Sequence, residues 1–191
     1  MMIRYDLIVN RNYTTSVVIN ELPINDMIQE HWNKQEIVGL DGFFHNTGKV
    51  HNLYIESKRN TQAITTYGKV YDLLFQSETT IDKLIEQHSD NIWVSFDVFG
   101  ELLLDNGNHY LYGEGGMGNE GFIIKLDSSG QVLWTFFSTT SNPFVNNKVL
   151  DKKLFGFVST HGFILVVDDS NENYPRFYII NPDFEDDKIY R

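Results

Sequence analysis

Apolar residues in this chain fall into short runs, each closed by Gly, Asn, Asp or Ser. Runs of this kind, rich in Val, Ile, Phe, Tyr and Trp, are the signature of strands bounded by turns. They predict strands over Ile3–Val9, Val17–Ile19, His51–Glu56, Ile92–Phe96, Glu101–Leu104, His109–Tyr112, Gly121–Leu126, Val132–Phe137, Leu154–Val158, Phe163–Val167 and Arg176–Ile180. The regular turn punctuation points to antiparallel hairpins and meanders. Side chains along a strand alternate between its two faces. In Val132–Phe137 this places Val132, Trp134 and Phe136 on one face and Leu133, Thr135 and Phe137 on the other. Both sets are apolar, so this strand is expected to be central and covered on two sides.

Two segments carry helical spacing instead. In Thr80–His88, Ile81, Leu84 and Ile85 recur at i, i+3, i+4, and Ser77, Thr79 and Thr80 are available as caps. Asn25–Gln35 follows Pro23 and sets Met27, Ile28 and Trp32 on one side. Both helices are expected to pack over an edge or face of the sheet.

Glycines at 68, 100, 130 and 162 each precede an aliphatic residue by two positions, at a spacing of about thirty residues. Asp97, Asp127 and Ser159 stand three residues before the last three of them, and Thr65 before the first. The pattern reads as a turn glycine feeding an outgoing strand each time. A propeller blade takes about 40–45 residues, so the chain is too short for a full propeller. The expected fold is mainly β, an antiparallel meander, sandwich or open barrel with two short helices. A β-dominated α+β fold is the alternative.

A length of 191 residues suits a single domain spanning 1–191, large enough to fold without a disulfide or metal. The chain has no cysteine, which removes disulfides, zinc–thiolate sites, iron–sulfur clusters and cysteine nucleophiles. Met1–Asp6 shows no signal-peptide pattern, and no stretch reaches the ~18 apolar residues of a membrane span. A cytoplasmic protein with no membrane association is therefore expected. The net charge of −11 argues against nucleic-acid binding and suits a basic protein partner.

Familiar chemical motifs fail on context. Gly113–Gly118 satisfies G-x-G-x-x-G, but Gly121–Leu126 after it reads as a strand, not the helix that would receive a pyrophosphate. Asp105-Asn106-Gly107-Asn108 begins like a calcium loop, yet Gly116 stands where the twelfth-position acid belongs. A type I′ hairpin turn at Asn106-Gly107 is expected there. His45 and His51 flank an expected hairpin turn, Asn46-Thr47-Gly48-Lys49, and lack further metal ligands. Asp168, Asp169 and Glu172 cluster after an apolar strand, and Asp168-Asp169-Ser170-Asn171 reads as a solvated turn. No catalytic residue, metal site or cofactor site is assigned, and no enzymatic activity is expected.

The phrase Gly121-Phe122-Ile123-Ile124-Lys125-Leu126-Asp127-Ser128-Ser129-Gly130-Gln131-Val132-Leu133-Trp134 resembles a blade hairpin of quinoprotein-type β-propellers. Gly115–Phe122 followed by Thr135-Phe136-Phe137 and Ser141-Asn142-Pro143-Phe144 resembles small bacterial proteins, some of them immunity proteins of polymorphic toxin systems. The second resemblance implies a partner role: steric and electrostatic occlusion of a basic toxin. Glu114, Glu120, Asp168, Asp169 and Glu172 are the carboxylates expected to face that partner. A carbohydrate-binding or carbohydrate-active β domain, using exposed aromatics and paired acids, is the rival reading. A structural or phage-derived protein is the third.

Overall fold

A computed structural model describes residues 26–60, 68–171 and 174–182. The expected strands Ile3–Val9 and Val17–Ile19 lie outside the described residues, as does the acidic stretch 183–187. What is described is dominated by antiparallel strands and two helices. Helix α1 (Asp26–Asn33) leads to β1 (Glu36–Val38), β2 (Gly42–His45), β3 (Lys49–Arg59) and β4 (Lys69–Thr80). Helix α2 (Ile81–His88) and a 3-10 turn precede β5 (Trp93–Leu103), β6 (His109–Gly115), β7 (Gly121–Leu126) and β8 (Val132–Ser138). The chain continues through β9 (Phe144–Asp151), β10 (Leu154–Ser159), β11 (Ile164–Asp168) and β12 (Arg176–Ile180).

The strands form two sheets. The larger has the order β1-β5-β6-β7-β8-β2-β3-β4 and curls into a half-barrel; the smaller is the meander β12-β11-β10-β9. Two meanders, β2–β4 and β5–β8, meet where β2 pairs with β8. Side-chain alternation then divides the apolar residues between two cores. Tyr110, Tyr112, Ile123, Trp134 and Phe136 of the larger sheet face Phe155, Phe157, Leu165, Val167 and Phe177 of the smaller. The opposite face sets Phe44, Phe122, Ile124 and Phe137 against Ile28 of α1 and Ile81 and Leu84 of α2. Truncating a buried Phe or Trp to Ala in such a core costs about 3–5 kcal/mol.

β8 is indeed central and covered on both faces, but the expected parity fails at its start. A bulge shifts the β7–β8 register between Lys125 and Leu126. Val132 consequently joins the helix-side core, while Leu133 packs with Trp134 and Phe136 toward the smaller sheet. An extra residue in one strand restores neither parity nor register until the bulge is passed.

The turns also correct the expected pattern. Gly107 donates its N–H to the Leu104 carbonyl at 3.0 Å, and Leu104 donates to Asn108 at 2.8 Å. Only Gly107 of the loop has positive φ, so this is a three-residue turn ending in a glycine bulge, not type I′. The same bonding closes Asp127–Gly130 and Ser159–Gly162. Gly100, in contrast, sits within β5, which joins the two expected strands Ile92–Phe96 and Glu101–Leu104 into one. Its missing Cβ leaves room for the Tyr112 ring opposite. The glycine spacing therefore mixes two roles and is not a structural repeat.

The helices keep to their expected places and are shorter. α1 ends at Asn33, and Gln35 beyond it has φ 61°. Thr80 caps α2, its Oγ1 accepting from the Lys83 N–H at 3.4 Å. At the far edge of the larger sheet, Asn181 treats β4 as a strand would. Its Oδ1 accepts from the Tyr71 N–H at 2.7 Å, and its Nδ2 donates to the Tyr71 carbonyl at 2.8 Å.

Candidate protein-binding surface

The five carboxylates expected to face a partner do not form one surface. Glu172 lies outside the described residues. Glu114 pairs with Gly121 at one end of the β6–β7 hairpin, while Asp169 bonds Lys125 near the other end, where Lys125 pairs with Tyr110. Glu120 is buried and accepts the Met117 N–H at 3.2 Å, which folds the glycine-rich loop back on itself. Gly115 has no Cβ because Glu120 and the Phe137 ring occupy that space.

Asp168 and Asp169 take opposite sides of the chain, as alternation requires. Asp168 keeps the expected turn, accepting from the Ser170 N–H at 3.0 Å and from its hydroxyl at 2.5 Å. Arg176 Nε lies 3.7 Å from it. Asp169 departs from the solvated reading: it is 1% exposed, and its two oxygens receive the buried Lys125 ammonium at 2.8 and 2.7 Å. Burial pushes the Asp169 carboxyl above the usual aspartate range, and Lys125, Tyr110 and Lys153 offset this only in part. Sequence alone hides this pair, since its members stand 44 residues apart and Lys125 sits at an ordinary strand position.

Glu114, like Asp168, is half-buried. It stands directly opposite Asp97 in the β5–β6 ladder. Like charges directly opposite one another destabilise a strand pair. The strand that carries Asp97 is also open. β1 pairs with the outer edge of β5 only at Trp93–Ser95, leaving Phe96–Leu103 without a paired strand on that side among the described residues.

β9 is the outer strand of the smaller sheet and lies against β5. Both strands carry apolar side chains into solvent: Val98, Phe99 at 47% and Leu103 at 69% exposure on β5, and Val145, Val149 at 61% and Leu150 on β9. An open, apolar strand edge is a template for pairing with another chain. β4 also exposes Leu74 and Phe75, but there the Asn181 amide occupies the Tyr71 backbone groups. Composition signals did not reveal this surface, because Phe99 and Leu103 read as ordinary strand residues.

The described residues contain no group of three or more His, Asp or Glu placed to hold a metal ion. They contain no helix long and apolar enough to cross a membrane. Searches against protein families, curated proteins and solved structures find no match to this chain.

Proposed function

We propose that this is a non-enzymatic binding protein that docks a basic, extended segment of a partner protein along the open edge of β5. The observation that carries the reading is the cross-strand Asp97–Glu114 pair beside a strand edge that has exposed apolar side chains and no paired strand among the described residues. A strand added at Phe96–Leu103 gains main-chain hydrogen bonds, and its Lys or Arg side chains relieve the carboxylate repulsion. The net charge of −11 steers such a partner over distance. A basic toxin domain, neutralised by occlusion in the cytoplasm, is the partner class that these features favour.

The test is co-expression with the product of the adjacent gene, followed by pull-down and salt-dependent binding kinetics. Charge reversal of Asp97 and Glu114 to Lys is expected to lower the on-rate about tenfold or more at low salt, and less at high salt. Thermal stability is expected to stay within about 0.5 kcal/mol of the parent, as for other surface changes. Absence of any bound neighbour, or binding indifferent to both salt and the double reversal, overturns the proposal.

A further inference from the structure

A polar cleft opens at the end of the sandwich that carries the loop after β8. Its volume is about 240 Å³. Ser57 and Tyr54 line it from β3, Lys69 and Tyr71 from β4, Asn119 from the glycine-rich loop, Thr139, Thr140 and Asn142 from the loop after β8, and His161 from the β10–β11 turn. Among the described residues no Asp or Glu lines it, in a chain where acids outnumber bases by twenty-six to fifteen. The lining is thus one ammonium, one imidazole, two carboxamides and a set of hydroxyls, with Ile55 among them.

The wall of this cleft is fixed in advance. Thr139 donates its N–H to Asp41 Oδ1 at 2.7 Å and its hydroxyl to Asp41 Oδ2 at 2.6 Å. The Thr140 hydroxyl donates to the Ile55 carbonyl at 3.0 Å, and Asn119 Nδ2 donates to the Thr139 carbonyl at 3.3 Å. Ser159 bonds the Ser141 carbonyl and receives the His161 N–H, tying the turn to the same loop. Asn142 holds φ 56°, an uncommon conformation; its N–H donates to the Asn119 carbonyl at 3.1 Å and its carbonyl accepts from the Ser141 hydroxyl at 2.9 Å. His161 is held against the Tyr71 ring, with centroids 5.3 Å apart. Burial, with Lys69 nearby, keeps the imidazole below its ordinary pKa and favours the neutral form, which offers one donor and one acceptor.

We propose that this cleft binds a small polyhydroxylated anion of the sugar-phosphate or sugar-acid kind. Lys69 takes the anionic group. The Asn119 and Asn142 carboxamides, the threonine hydroxyls and His161 offer the mixed donors and acceptors that sugar hydroxyls require. The space is that of a single ring: it lies just under the lower end of ordinary ligand pockets, about 300 Å³. Lining carboxylates would repel the ligand, and among the described residues none lines this cleft. The assignment does not depend on the protein partner proposed for β5, which meets a different part of the sandwich.

The test is isothermal titration calorimetry of the whole chain with glucose 6-phosphate and with glucuronate, against glucose and inorganic phosphate as controls. At least one of the two charged sugars is expected to bind about tenfold or more tightly than either control, the equivalent of about 1.4 kcal/mol. Lys69→Met is expected to weaken that binding about tenfold at unchanged melting temperature. Asn119→Ala, at an exposed loop position, is expected to weaken it about threefold and serves as the second variant. A preference for glucose 6-phosphate identifies a phosphate ligand, and one for glucuronate a carboxylate ligand; either supports the site. Binding of neither charged sugar, controls that bind as tightly, or affinity unchanged in both variants overturns it.

Discussion

The Lys125 ammonium meets both carboxylate oxygens of Asp169, at 2.8 and 2.7 Å, and neither side chain reaches solvent. The contact joins β7 of the larger sheet to the chain leaving β11 of the smaller one. It is a polar rivet through an otherwise apolar interface between Tyr110 and its neighbours, with the ammonium 5.8 Å above the Tyr110 ring centre. Desolvating two charges is costly, so the pair itself adds little net stability. Breaking it is another matter, because the survivor is left charged and buried.

Lys125→Met alone and Asp169→Leu alone are each expected to cost about 3–5 kcal/mol. The double variant Lys125→Met with Asp169→Leu is expected to recover most of that loss. Urea unfolding of the three variants checks this, and two single losses that simply add would show that the residues act independently.

A second expectation concerns pH. Burial lowers the pKa of His51, helped by Lys49 and opposed by Glu78, and lowers that of His161, helped by Lys69. A lowered folded-state value means that the unfolded chain takes up the proton first. The contribution of each histidine is therefore fully present above the ordinary value of 6.5 and declines as pH falls through the lower folded values. Melting temperature is expected to fall on acidification in that window. The double variant His51→Gln with His161→Gln should flatten the slope, measured by thermal unfolding across the pH range.

Glycine substitutions should separate the two roles found among the glycines. Gly107→Ala places a Cβ on a residue of φ 85° and is expected to cost about 1 kcal/mol. Gly100→Ala drives a Cβ into the Tyr112 hydroxyl, which also receives the Asn147 carboxamide at 2.9 Å across the two sheets. A larger loss, of about 2–3 kcal/mol, is expected there, as for overpacked cores. Chemical denaturation of the two variants ranks them, and Gly100→Ala with Tyr112→Phe should recover part of the larger loss.

Much of the fold was legible because alternation and turn residues agree. Gly121–Leu126 and Arg176–Ile180 occupy the expected limits, and Thr80 caps the helix that its spacing announced. The misses have specific causes. β9 was not expected, since Asn146, Asn147 and Lys148 interrupt its apolar residues; it is an edge strand and can carry them. β4 runs through Gln76, Ser77 and Glu78, which face solvent on the outermost strand. Gly100 imitates a turn because its reason for being glycine is a ring on the neighbouring strand. Of the expected carboxylates, Glu114 is the one that stands beside the edge proposed for docking. Asp169 and Glu120 look like surface residues until the fold supplies Lys125 and the Met117 N–H.

The Asn181 carboxamide, bonded to both backbone groups of Tyr71, also bears on stoichiometry. A sheet able to accept strands at both margins can link molecule to molecule without closure, and such head-to-tail contacts grow into fibres. Here the carboxamide takes the Tyr71 groups along β4 that an incoming strand would need, while among the described residues no strand pairs with Phe96–Leu103 of β5 on its outer side. Strand addition of the kind proposed is thereby disfavoured at Tyr71 of β4.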